Sequence, residues 1–275
     1  MEEPKRDDLR VVVTGAMGRI GRALVRYIHD ADGMTLVGAT ERPDHPDIAK
    51  DVGLLVCGEP SSVMLESELR NAVVSAQVII DFTAPEATAA HAGIAARFAL
   101  PLVIGTTGLS GEHRAAVQAA ADKTAIVAAP NMSIGVNLLF HLARRAAEVI
   151  GEDCDIEIVE SHHRNKVDAP SGTALRLAEI VGEALGYEDP SEYYLHGREG
   201  HTGVRPGGRI GLHAVRGGGV VGEHDLQFLA DAEVLTLSHR ALTRDNFVRG
   251  AVRAAYWLQD RAPGLYDMGD VLGLK

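Results

Sequence analysis

Short apolar runs that alternate with helical patterns constrain this chain more than any other feature. The runs cover residues 11–14, 35–39, 78–81, 102–105 and 125–128, with amphipathic or alanine-rich segments at 19–30, 85–98 and 112–122. Strands that alternate with helices imply βαβ units and a parallel sheet covered on both faces. The expected class is therefore α/β, with an N-terminal Rossmann-like parallel sheet. After about residue 130 the pattern changes. A helical stretch (136–150) leads into an alternating strand (155–161) and a second helix (173–185). Three further strands follow at 210–215, 220–229 and 232–238, with turn signals at Gly217-Gly218-Gly219 and Asp231. Short turns predict an antiparallel meander, so a C-terminal α+β domain with a mostly antiparallel sheet is expected. The glycine-rich stretch 199–211 reads as a mobile loop. The last helical pattern, 246–259, gathers Phe247, Val248, Ala251, Ala255 and Leu258 on one side.

The first run ends in Thr14-Gly15-Ala16-Met17-Gly18-Arg19-Ile20-Gly21, a G-x-x-G-x-x-G loop between a buried strand and a helix. Gly15 permits the turn, Gly18 lets the backbone approach a pyrophosphate, and Gly21 lets helix and strand pack closely. The unpaired N–H groups of the first helical turn then face phosphates. The second run is followed by Glu41, 20 residues after Gly21, where a carboxylate can accept from ribose hydroxyls. Arg42 beside it can hold a 2′-phosphate, or can be an ordinary surface arginine, so NADH and NADPH both stay open. Farther on, Thr83 and Glu86 stand at capping-box spacing. Gly105-Thr106-Thr107-Gly108 makes a polar turn at the strand edge where open α/β sheets bind ligands.

The richest chemistry lies at Glu160–Ala174. His162, His163, Arg164 and Lys166 fall within five residues, and Pro170-Ser171-Gly172-Thr173 then opens a helix. Free N–H groups at that helix start, with the Ser171 and Thr173 hydroxyls, form an anion site, unless Ser171 serves only as an N-cap. A histidine at a strand end, with a lysine four residues on, suits a carboxylate-bearing substrate, and His is the natural proton donor near neutral pH.

Composition removes other classes. The net charge of -11 argues against a nucleic-acid partner. Two cysteines, Cys57 and Cys154, lie far apart and outside any CxxC pattern, which fits a reducing, cytoplasmic compartment. The opening MEEPKRDDLR has no apolar core, so no signal peptide is expected. Residues 124–143 lack charge, but Pro130, Asn131, Ser133, Gly135 and Asn137 interrupt them, and no membrane span is expected. The 12 histidines show no HExxH or i,i+4 pairing, and no metal site is expected.

Taken together, GAMGRIGR, DFTAPE (81–86), VIGTTG (103–108), APNMSIGVN (129–137), ESHHRNKVDAPSGTA (160–174), REGHTG (198–203), VGEH (221–224) and GLYDMGDVL make a more specific pattern than any one of them. The chain resembles the 4-hydroxy-tetrahydrodipicolinate reductase family, formerly called dihydrodipicolinate reductase, along nearly its whole length. The resemblance implies reduction of a small cyclic dicarboxylate by NADH, NADPH or both, within diaminopimelate and lysine biosynthesis. It implies that His162 donates the proton with Lys166 as companion, and that His163, Ser171, Gly172 and Thr173 hold the substrate's carboxylates. Gly15, Ala16, Met17, Gly18, Arg19, Ile20, Glu41, Arg42, Phe82, Thr83, Gly105, Thr106, Thr107, Ala129, Pro130, Asn131 and Met132 would line the cofactor. Met132 stands where the family often has an aromatic residue. The implied layout is a dinucleotide-binding domain (1–131), a substrate-binding and oligomerisation domain (132–241) that builds a homotetramer, and a tail (242–275) returning to the first domain. Competing readings are a Rossmann dehydrogenase for another amino acid, such as aspartate or homoserine, and a dinucleotide-responsive binding protein without turnover.

Overall fold

The computed structural model describes residues 8–275; the opening of the segment in which no signal peptide is expected (1–7) lies outside the described residues. The chain divides into two compact units, residues 8–134 with 245–275, and residues 135–244.

In the first unit, β1 (Leu9–Thr14), β2 (Met34–Thr40), β3 (Leu65–Glu66), β4 (Val78–Asp81), β5 (Leu102–Ile104) and β6 (Ala125–Ala128) join a strand from the chain's end, β12 (Gly264–Tyr266). All neighbours run parallel, in the order β12-β6-β5-β4-β1-β2-β3. The helices are α1 (Arg19–Asp30), α2 (Val52–Val56), α3 (Leu69–Ala72), α4 (Pro85–Phe98), α5 (Gly111–Ala121), α8 (Asp245–Trp257) and α9 (Met268–Leu272). Alternate residues of each strand serve opposite faces. Val11, Val13, Ile80 and Val103 pack with Leu24, Val25 and Ile28 of α1 and with Val248 and Ala251 of α8. Val12, Ile79 and Leu102 pack with Ala92 and Ala95 of α4 and Val117 of α5. Both faces are buried, which is why these strands read as unbroken apolar runs. Each such side chain contributes roughly 1.5–3 kcal/mol on leaving water.

One expectation fails here. Helix α4 does not start with a Thr83–Glu86 capping box: its N-cap is Ala84, without a side-chain cap, and Pro85 fills the first turn. The Thr83 hydroxyl donates instead to the buried Asp81 carboxylate at 2.6 Å. A buried charge outcompetes a helix cap for that donor.

The second unit is α6 (Ile134–Ile150, beginning at the unit's edge), α7 (Gly172–Ala184) and a mixed sheet of β7 (Asp155–His162), β8 (Tyr194–His196), β9 (Ile210–Arg216), β10 (Gly222–Leu229) and β11 (Val234–Ala241). Strand order is β11-β10-β7-β9-β8. The expected meander is therefore corrected. β10 and β11 form an antiparallel pair, but β7 lies between β9 and β10, parallel to the first and antiparallel to the second. Gly217-Gly218-Gly219 is not a hairpin turn; it crosses the end of β7, where Gly217 N–H donates to the His162 carbonyl at 3.0 Å and Arg164 N–H to the Gly218 carbonyl at 3.2 Å. The stretch 199–211 is likewise not free coil. Arg205 ties it to Asp155, Glu157 and the Ile156 carbonyl, and Gly211 already belongs to β9.

Among the described residues, no helix is long and apolar enough to cross a membrane.

Candidate active-site residues

In the first unit, the loop after β1 turns at Gly15, whose φ of +66° is in the left-handed region, and closes with Gly18 N–H donating to the Gly15 carbonyl at 3.0 Å. Side chains are excluded close by: a Cβ at Gly21 would stand 2.0 Å from the Gly15 carbonyl oxygen. Gly18 is the N-cap of α1, with no side-chain cap and no acidic residue in the first turn. The helix start is thus left to an outside acceptor. Glu41 reaches back across the strand ends; its Oε1 accepts from Met17 N–H at 3.0 Å and its Oε2 from Arg42 N–H at 3.2 Å. Arg42 is exposed, with Nε 3.3 Å from Asp44.

The loops after β4 and β5 are tied by a hydroxyl chain. Thr83 N–H donates to Thr106 Oγ1 at 2.9 Å and Thr88 Oγ1 to Thr106 at 2.8 Å, while Asp81 Oδ2 faces His91 Nδ1 at 3.0 Å. Phe82 packs so closely on Gly105 that a Cβ there would stand 2.1 Å from the ring. Thr106, Thr107, Ala129 and Pro130 line a cavity of about 710 Å³, together with Leu109 and Leu265. Met132 does not join them. Its side chain is buried in the core beside α8, and its carbonyl lies against Gly250.

In the second unit, the registers of β9, β7 and β10 explain the site. The face covered by α7 carries two apolar rows, Ile210-Ile156-Phe228 and Leu212-Ile158-Leu226. The next row is Ala214-Glu160-His224, and the last places His162 beside Arg216 at the strand ends. A single face thus changes from apolar to polar toward the strand ends, within two residues on β7 and β10 and within four on β9. Ser171 caps α7 at that polar end, its Oγ accepting from Ala174 N–H at 3.2 Å and lying 2.9 Å from His224 Nε2. Glu160, fully buried, receives Ser171 N–H at 3.0 Å, both Arg216 NH groups at 2.7 Å and His162 Nδ1 at 2.6 Å. Burial pushes the Glu160 carboxyl up, but the bonds from Arg216, His162 and Ser171 outweigh it and hold it below the usual range. Burial, aided by the nearby His162, lowers His224 to about 4, so its imidazole is neutral. The His162 and His224 rings meet edge to face, 5.2 Å between centroids.

Lys166 is bound by both oxygens of Asp168, at 2.9 and 2.8 Å. His163 lies just past the end of β7, with Nδ1 buried and without a partner among the described residues. Gly172 is exposed at the first turn of α7 and Thr173 follows it. The structure therefore brings His162, Ser171 and the start of α7 together. Glu160, Arg216 and His224 were missed as site residues. Period-two spacing puts Glu160 on the face of His162, a signal present in the sequence; Arg216 lies 56 residues from Glu160, and only the sheet joins them.

Comparison with known proteins follows the same division. Residues 9–132 match the family profile described as dihydrodipicolinate reductase, N-terminus, and residues 135–272 the one described as its C-terminus. The chain belongs to this family. Within it, the 4-hydroxy-tetrahydrodipicolinate reductase of Anaeromyxobacter dehalogenans is 48% identical over 97% of this chain and 98% of its own. That of Ruegeria pomeroyi is 49% identical over 96% and 98%. A dipicolinate-bound dihydrodipicolinate reductase from Paenisporosarcina superposes with a TM-score of 0.75 at 25% identity, covering 94% of this chain and 97% of that one. Outside the family, myo-inositol dehydrogenase from Lactobacillus casei shares the fold, with a TM-score of 0.58 at 13% identity over 97% and 91%.

Proposed function

We propose that this chain reduces 4-hydroxy-tetrahydrodipicolinate (dihydrodipicolinate) to tetrahydrodipicolinate with NADH or NADPH, in diaminopimelate and lysine biosynthesis. The observation that carries the reading is His162, held at a strand end by a buried carboxylate beside the start of α7. Family membership supplies the substrate class.

The residues fit a dinucleotide, because the uncapped start of α1 and the glycine surface around Gly15–Gly21 leave room and donors for phosphates. When bound, the reduced nicotinamide supplies the hydride. Gly15, Ala16, Met17, Gly18, Arg19 and Ile20 cradle the pyrophosphate. Glu41 has lone pairs left for ribose hydroxyls after accepting from Met17 and Arg42, and Arg42 answers a 2′-phosphate. Phe82, Thr83, Gly105, Thr106, Thr107, Ala129, Pro130 and Asn131 line the remainder, and Met132 contributes through its backbone.

His162 delivers the proton that completes reduction of the ring. Lys166 exchanges the Asp168 carboxylate for one of the substrate's. His163, Ser171, Gly172, Thr173 and the N–H groups of α7 hold the substrate's carboxylates, so that positioning accounts for much of the rate. For the 4-hydroxy compound, loss of water precedes the reduction.

In the same reading, residues 1–131 bind the dinucleotide, 132–241 bind the substrate and 242–275 complete the first domain. The sheet face opposite α7, where Val159, Val215, Leu229 and Val234 lie among polar side chains, is assigned to assembly as a homotetramer. The enzyme works in the cytoplasm. The test is oxidation of NADH and NADPH, followed by absorbance, on adding the product of dihydrodipicolinate synthase. Loss of absorbance with at least one coenzyme is expected; none with either overturns the reading.

A further inference from the structure

Glu160 is more than a neighbour of His162. A carboxylate can only accept, and every group around Glu160 donates to it: two guanidinium NH groups, one backbone N–H and one imidazole nitrogen. The ring nitrogen facing it at 2.6 Å, Nδ1, must therefore carry hydrogen. Neutral imidazole holds one proton, so Nε2 is then the bare nitrogen and the atom that takes up and releases the second proton. That atom points toward Gly222, where a Cβ would stand 3.0 Å from it. Glycine is the residue that leaves this nitrogen uncovered.

We propose that Glu160 is the positioning residue of the reduction: with Arg216 and the Ser171 N–H holding it still, it fixes His162 with Nδ1–H inward and Nε2 as the only proton-transfer atom. The inference rests on the reading of His162 as proton donor and specifies how that residue is set. The charged and titratable groups that meet the ring or its carboxylate are Glu160 on β7, Arg216 on β9 and His224 on β10. His224 is neutral and faces Ser171, so it does not replace Glu160. Arg216 spends both NH groups on Glu160, which keeps the carboxylate ionised and stops it from rotating away.

The experiment uses the full-length enzyme with Glu160→Gln, Gly222→Ala and His162→Gln. Steady-state rates are measured with the dihydrodipicolinate synthase product, and solid-state ¹⁵N spectra of histidine-labelled protein are recorded at mildly alkaline pH. The His162 signals are those lost in His162→Gln. Wild-type His162 is expected to show a protonated Nδ1 and a bare Nε2. In Glu160→Gln this preference is lost and kcat falls on the order of 10²-fold, with KM and coenzyme affinity held within about twofold. Gly222→Ala keeps the wild-type tautomer and lowers kcat, because its methyl group covers Nε2. Full turnover in Glu160→Gln, an Nε2-protonated wild-type ring, or full turnover in Gly222→Ala each overturns the inference. Full turnover in His162→Gln removes the underlying reading instead, so the two failures are told apart. Should Glu160→Gln not fold, the wild-type spectrum and Gly222→Ala still decide.

Discussion

Strand β7 carries two glutamates on opposite faces, and each is held by arginine and histidine. On the face under α7, Glu160 binds Arg216 and His162. On the other face, Glu157 binds Arg198, Arg205 and His213, at 2.5, 2.8 and 2.6 Å. The residue types match, yet the arrangements differ in what they leave over. His213 turns Nε2 toward its glutamate, and Arg205 spends its other donors on Asp155 and on the carbonyls of Ile156, Pro206 and Arg209. His162 turns Nδ1 inward and keeps Nε2 for other use, next to the start of a helix. Each histidine gives one ring nitrogen to its glutamate, so the difference lies in the surroundings. His162 stands beside the anion-binding start of α7, where its other nitrogen can do chemistry, and His213 is on the opposite face of the sheet.

The contrast can be broken outright by exchanging which histidine matters. His162→Ala is expected to cut kcat by about 10²–10⁴-fold with little effect on NADH or NADPH affinity, while His213→Ala changes kcat by less than about threefold. Equal losses in parallel stopped-flow or steady-state assays would show that the two clusters are not functionally different. A smaller effect sharpens it. Burial pushes the Glu157 carboxyl up, but its bonds to Arg198, Arg205 and His213 prevail and hold it at about 2. Glu157→Gln leaves those cations short of a partner, and denaturant unfolding should report a loss of about 2–4 kcal/mol with kcat of the folded enzyme preserved. An unchanged midpoint would deny the cluster its structural role.

A third effect is a slope with pH, absent at neutrality and growing only as the solution is acidified. His224 stays neutral when folded, down to about 4, whereas an unfolded histidine gains its proton near its ordinary value of 6.5. Between those values the unfolded chain binds more protons, so stability falls as pH falls from about 6.5 to 4, by at most ~1.4 kcal/mol per pH unit, and then levels for this group. The Glu157 contribution behaves differently: it is present above about 4.5 and is lost as pH falls toward 2. His224→Asn should flatten the upper window alone. An unchanged profile of unfolding midpoint against pH would mean that His224 is protonated in the folded enzyme.

The parallel sheet was legible because buried strands such as 78–81 and 125–128 have no polar alternation to confuse with a helix face. The pieces β3, β8 and β12 were not, since two or three residues carry no period. The meander was misread because a triple glycine is a turn signal whether the next strand pairs with the last one or passes beyond another. At the site, the glycine loop, Glu41 and the Glu160–Ala174 segment were legible as local patterns. Arg216 and His224 were not, because only the pairing of β9 and β10 on either side of β7 brings them to Glu160.

The first unit is closed by its chain end: β12 pairs with β6, and α8 packs on the same sheet as α1. On the ribosome, residues 8–134 therefore emerge with the β6 edge unpaired and an apolar face covered by α1 but not yet by α8, and they wait until the intervening 110 residues have been made. At translation speeds of about 5–20 residues per second, that interval lasts roughly 5–20 seconds. Until then the unpaired β6 edge is open to pairing with other chains, and the arrival of residues 245–275 is the event that closes it.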